Sequence, residues 1–143
     1  MASLQLPLKH QIATRSWARL GYEGTVMLNS QIIPMKPENA NVDPTGRHLV
    51  FLHGLFGKAM SFRFLAKKKE IQQNFTVHLV DMRNHGSSGW HYDMDYSSMA
   101  QDLLGYLEMQ GLTNRDKLVS LVGHSMGGKT AMTFAALYPE LVH

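Results

Sequence analysis

KLVSLVGHSMGGKTAM, residues 117–132, runs from a mostly apolar stretch through closely spaced glycines into a helix-forming segment. Two patterns overlap inside it. Gly123 to Thr130 fits G-x-x-x-x-G-K-[ST], a phosphate-binding loop in which Lys129 meets phosphates and Thr130 a magnesium ion. Its first five residues, GHSMG, fit G-x-S-x-G, a sharp strand-to-helix turn that presents a serine, here Ser125, as a nucleophile. Both patterns lie between a strand and a helix, so the rest of the chain has to decide.

The glycines favour the serine. Gly123 and Gly127 flank Ser125 two residues away on each side, where a tight turn leaves no room for a side chain. Such a turn holds its serine in a strained backbone conformation. The small residues that follow (Gly128, Ala131, Ala135, Ala136) let the next helix approach a sheet closely. A phosphate loop ordinarily follows the first strand of its domain, and a later acid-tipped strand holds the metal. Here three strand-like runs precede or enter the motif, and Asp81 tips the one before it. A serine nucleophile also needs two backbone N–H donors aimed at the oxyanion it creates. Met126 supplies one. His53-Gly54 closes the first strong strand, and Leu55 behind it is the best candidate for the other, with Phe56 the second. A phosphate loop needs nothing there, so nucleotide binding stays a minor alternative.

Working outward, HLVFLH (48–53), TVHLVD (76–81) and KLVSLVG (117–123) are short apolar runs of the kind buried on both faces of a parallel sheet. Between and after them the spacing predicts helices over 59–73, 98–110 and 126–137. In the second, Met99, Leu103, Tyr106 and Leu107 form one apolar face. The alternation predicts an α/β fold, a mostly parallel sheet with flanking helices. Residues 21–35 read as a weak hairpin turning at Asn29-Ser30, and 36–46 as a loop. In the buried strand 76–81, His78 reads as a core residue.

FLHGLFG (51–57), VDMRNHGSS (80–88) and GHSMGGKTAM (123–132) together resemble the α/β-hydrolase superfamily, and within it the esterase group of the α/β-hydrolase domain-containing protein 11 and its short bacterial relatives. Residues 99–103 (MAQDL) are similar to that group as well. Gly89 departs from it, since proline is usual there. The resemblance covers residues 48–143 and implies an incomplete α/β-hydrolase fold that stops after the helix carrying the turn. It implies an ester or thioester hydrolase for small acyl substrates, with no cofactor and no metal. Ser125 is then the nucleophile, Met126 and Leu55 are the oxyanion donors, and His53, Gly54, Phe56, Gly123, His124 and Gly127 support them. Lys-Thr after the serine is usual in this group, which accounts for the overlap with the phosphate loop.

In this fold the acid and the histidine base follow the serine. After Ser125 only Glu140 and His143 are available. A dozen helical residues at ~1.5 Å each put them ~15–20 Å away. Neither is placed to serve, so the chain on its own is expected to be inactive. The alternative is a non-catalytic assembly subunit whose partner pairs with an exposed edge at strand 117–123. Of the upstream histidines His85 is the least unsuited as a substitute base, although both it and His53 are expected to bond loop backbone.

The composition excludes other classes. Residues 1–20 carry Lys9, Arg15 and Arg19 and no acid, which leaves 11 cations against 11 acids from Gly21 onward. The folded part is neutral, which argues against nucleic acid as a partner. The basic, acid-free start is the composition of an organellar targeting segment, so the expected destination is the mitochondrion, otherwise the cytoplasm. No run is long enough for a membrane span. With no cysteine there is no disulfide framework or thiolate metal site. Lys67–Lys69 could draw an anionic partner, with a solvated helix face as the expectation.

Overall fold

A computed structural model describes residues 24–38, 47–114 and 116–143. Its elements are strand β1 (Ser30–Ile33), strand β2 (Arg47–Leu52), a 3-10 turn (Ala59–Phe62), the one-turn helices α1 (Arg63–Ala66) and α2 (Lys69–Gln72), and strand β3 (Thr76–Val80). Helix α3 (Tyr96–Met109), strand β4 (Leu118–Gly123), helix α4 (Met126–Leu137) and a 3-10 turn (Pro139–Leu141) follow. The sheet order is β1-β3-β2-β4. β2 lies parallel to both β3 and β4, with Val50 opposite His78 on one side and Leu121 on the other. β1 runs antiparallel to β3, making the sheet mixed.

The apolar runs are continuous because both faces of the sheet are covered. Alternate residues serve opposite sides. Val50, Leu52 and Val80 pack with Met99, Leu103, Tyr106 and Leu107 of α3 and Phe134 of α4. Leu49, Phe51, Val77 and Leu79 pack with Ala59, Ala66 and Phe62. The fold is thus three layers, and its parallel strands all point their C-terminal ends at one edge.

Four expectations need correcting. No hairpin turns at Asn29-Ser30; residues 30–33 pair instead with β3, about fifty residues further on, Ser30 opposite Val80. The helix expected over 59–73 is three short pieces. Its break falls at Lys68, whose φ −62°, ψ 138° is extended and restarts the chain as the N-cap of α2. The edge of β4 is partly covered: Val142 bridges to Val119 in parallel, and the His143 N–H donates to the Val119 carbonyl at 3.1 Å. Helix α3 starts at Tyr96, two residues before the expected 98, because Asp95 caps it by accepting the Ser98 N–H at 2.8 Å.

Among the described residues no helix is long and apolar enough to cross a membrane. The basic segment 1–20 lies outside the described residues.

Candidate active site

β4 ends on Gly123 and α4 begins on Met126, so His124 and Ser125 carry the whole change of direction. Ser125 does it at φ 51°, ψ −112°, in a region that costs a non-glycine residue roughly 1–3 kcal/mol. Packing over-determines the turn. A Cβ on Gly127 would sit 2.1 Å from the Leu52 carbonyl oxygen, and one on Gly123 2.4 Å from that of Gly127. Only glycine lets α4 come this close to the ends of β2 and β4. The Ser125 side chain is exposed, and its hydroxyl bonds to no described residue. Met126 opens α4, so its N–H belongs to the unpaired donors of a helix start.

The loop after β2 forms the facing wall. His53 is buried, donates from Nδ1 to the Gly54 carbonyl at 2.8 Å and accepts the Met82 N–H at Nε2 at 3.0 Å. Those bonds define a neutral tautomer, and burial, aided by His85, lowers its pKa. A Cβ on Gly54 would lie 2.7 Å from His124 Nδ1, so the two loops touch at this glycine. The Gly57 N–H closes onto the Gly54 carbonyl at 2.9 Å, lifting Leu55 and Phe56 out on a tight turn. Phe56 adopts φ 63°. Its N–H donates to His85 Nε2 at 3.2 Å, while His85 Nδ1 donates to the Arg83 carbonyl at 2.8 Å. The Phe56 donor is therefore occupied. The Leu55 N–H has no acceptor among the described residues. Leu55, Phe56, Ser61, Phe62 and His124 line an open cleft of about 430 Å³ at this edge.

The turn after β3 supports that wall, and the sequence alone did not expose how. The Asp81 carboxylate accepts the Ala59 N–H at 2.7 Å, the Ser87 N–H at 3.1 Å and Asn29 Nδ2 at 3.2 Å. Burial pushes this carboxyl up, but the two N–H donors and Asn29 outweigh it and hold it below its ordinary value. Arg83 is fully buried. Its Nε and Nη2 meet the Asp102 carboxylate at 2.6 and 2.9 Å, and its guanidinium also donates to the carbonyls of Asp93 and Gly24. One signal could have found this pair: Asp102 is an acid three residues from Met99 on the apolar face of its helix, and such a position needs a cation.

Thr130 is disqualified as a metal ligand of a nucleotide site by its surroundings. Thr130 is fully buried, its hydroxyl donating to the Met126 carbonyl at 3.0 Å beside the Met99 sulfur. Asp81, the acid a phosphate loop would use, is spent on backbone donors.

Comparison with known proteins agrees with this geometry. The family model described as alpha/beta hydrolase fold matches residues 47–143. The chain belongs to the α/β-hydrolase family. Its likeness to individual members is substantial. It is 44% identical over 110 residues to the sn-1-specific diacylglycerol lipase ABHD11 of Mus musculus, covering 77% of this chain and 34% of that protein. With ethanol acetyltransferase 1 of Wickerhamomyces ciferrii it shares 33% identity over 137 residues, 94% of this chain and 34% of the other. Among solved structures a marine microorganism esterase superposes with a TM-score of 0.67 at 39% identity, covering 82% of this chain and 40% of that one. The chain thus spans about a third of the length of the curated relatives it matches. As an α/β-hydrolase with esterase- and lipase-type relatives, it carries the turn and the facing loop on the C-terminal edge of its parallel strands.

Proposed function

We propose that this chain carries the nucleophile and the oxyanion donors of a serine-dependent acyl hydrolase acting on small esters or thioesters. The observation that carries the reading is Ser125, exposed at φ 51° between β4 and α4 with no bonding partner among the described residues. In the reaction the Ser125 Oγ attacks the acyl carbonyl carbon. The N–H groups of Met126 and Leu55 stabilise the oxyanion, a contribution worth about 3–4 kcal/mol per donor in a well-formed site. The alkoxide or thiolate leaves with a proton, and water releases the acid from the acyl-serine. The relatives named as ethanol acetyltransferases support a variant of the last step, in which an alcohol in place of water accepts the acyl group.

A serine hydroxyl is a weak nucleophile until a base takes its proton. Among the described residues none bonds to Ser125, and His53 and His85 are committed through both ring nitrogens to backbone. His143 is tied by its N–H to Val119 beyond the far end of α4. The 143-residue chain alone is therefore expected to turn over a p-nitrophenyl ester negligibly. Free imidazole in solution offers the base from outside. It should produce an acyl adduct at Ser125, found by peptide mapping and absent from Ser125→Ala. Ester cleavage equal in both proteins, with no adduct at Ser125, would refute the assignment.

The basic segment 1–20 supports a mitochondrial destination, which a carboxy-terminal fluorescent fusion tests. A protein partner at the outer edge of β4 belongs to a second, non-catalytic reading. Its support is that, among the described residues, the bridge to Val142 occupies one position of that strand and leaves the rest without a strand partner.

A further inference from the structure

The segment following the β2 loop bears a surface that acyl chemistry does not use. Residues 55–69, LFGKAMSFRFLAKKK, hold five cations (Lys58, Arg63, Lys67, Lys68, Lys69) and no acid. From Gly21 onward the chain has 11 cations and 11 acids, so removing these five leaves six cations facing all eleven acids. Positive charge is thus concentrated in this one segment, four of whose cations line a single depression and form a basic corner of the described residues. Lys69 is paired with Glu38 at 2.5 Å. Lys58, Arg63, Lys67 and Lys68 have no carboxylate within ion-pairing distance among the described residues.

The same segment exposes large apolar side chains. Phe56 is 93% and Phe64 79% accessible, and Leu55, Met60 and Leu65 are also out. Met60, Arg63, Phe64, Lys67 and Lys68 share one open depression, and the Lys68 ammonium lies 4.5 Å from the centre of the Phe64 ring. Cations interleaved with protruding apolar groups fit a partner that is anionic at its surface and apolar just beneath. An acidic peptide or a nucleic acid would reward the charges but leave Leu55, Met60 and Leu65 in water.

We propose that this corner docks the protein on a bilayer carrying anionic lipids, with Arg63, Lys67 and Lys68 at the headgroups and the rings of Phe56 and Phe64 at the level of the acyl boundary. Leu55 and Phe56 of the same segment also line the cleft that His124 borders, so docking would bring bilayer-held acyl esters to the edge where Ser125 lies. Binding itself does not depend on Ser125.

The full chain is sedimented with phosphatidylcholine vesicles, with and without phosphatidylserine. Binding is expected only when phosphatidylserine is present. Arg63→Gln/Lys67→Gln/Lys68→Gln should lower the partition about a hundredfold, and Phe64→Ser about tenfold. All four side chains are exposed, so circular dichroism and melting should match the parent, and both variants keep Lys9, Arg15 and Arg19. Equal binding to neutral vesicles, or a triple variant that binds like the parent, would overturn the proposal. So would retention on RNA or polyglutamate without any vesicle binding.

Discussion

The turns that leave β3 and β4 lie at the same edge of one sheet and manage their polar groups in opposite ways. After β3, Asp81, Arg83, Asn84, His85 and Ser88 all find partners, and Arg83 is sealed from solvent with its donors matched to a carboxylate and backbone carbonyls. After β4, Ser125 is strained and exposed, and among the described residues neither its hydroxyl nor the adjacent Met126 N–H has a partner. One turn stores stability and the other stores reactive potential. The first props up the second: Asp81 fixes the Ala59 N–H and His85 fixes that of Phe56, so the loop bearing Leu55 is held from behind.

The contrast can be broken most severely at the glycines of the second turn. Gly127→Ala places a methyl within 2.1 Å of backbone that cannot move without separating α4 from the sheet. We expect loss of cooperative unfolding in a calorimetric scan. Next comes the satisfied turn. Asp102→Ala strands a buried guanidinium and should cost about 3–5 kcal/mol in urea unfolding. Acid provides a third lever, since the buried relay behind β3 runs from His48 Nδ1 to His78 Nε2 (3.0 Å), from His78 Nδ1 to the Tyr106 hydroxyl (2.7 Å), and on to Ser30 (2.9 Å). Burial, then the neighbouring His48, lowers the His78 pKa from 6.5 to about 4. The folded state therefore binds fewer protons than the unfolded chain between those values. The stability that neutral His78 contributes is complete above pH 6.5 and falls as the pH drops toward 4, by about 3 kcal/mol. Urea melts across that window should show the slope, and His78→Phe should reduce it, leaving the smaller share that His53 contributes. The smallest effect sharpens the comparison: Ser125→Gly relieves the strain at φ 51° and should raise stability by about 1 kcal/mol. It also removes the imidazole-dependent adduct.

Much of this was legible in the chain. The three parallel strands were visible because burial on both faces leaves uninterrupted apolar runs. Helix α4 fell at 126–137 as expected because two glycines and a line of small residues mark a close approach to the sheet. What failed was long-range or conditional. β1 is four residues long, and its partner β3 lies so far along the chain that no local pattern announces it. The stretch 59–73 has helical spacing but breaks at Lys68, where the chain becomes extended before α2. Leu55 and Phe56 were ranked from motif position, and only the bond from Phe56 to His85 separates them. Arg83 and Asp102 are nineteen residues apart, and although the place of Asp102 on the apolar face of α3 calls for a cation, no local pattern names Arg83 as that cation.

The amide of Val26 donates to Asp102 at 2.8 Å across 76 residues, and the Gly24 carbonyl receives Arg83. The segment ahead of β1 is therefore latched to a carboxylate that exists in position only once α3 has formed and Arg83 has turned inward. The first described stretch to be synthesised must wait for a much later one. In a hydrogen-exchange experiment the Val26 amide would act as a clock for the docking of α3, protected no earlier than that helix and released with it.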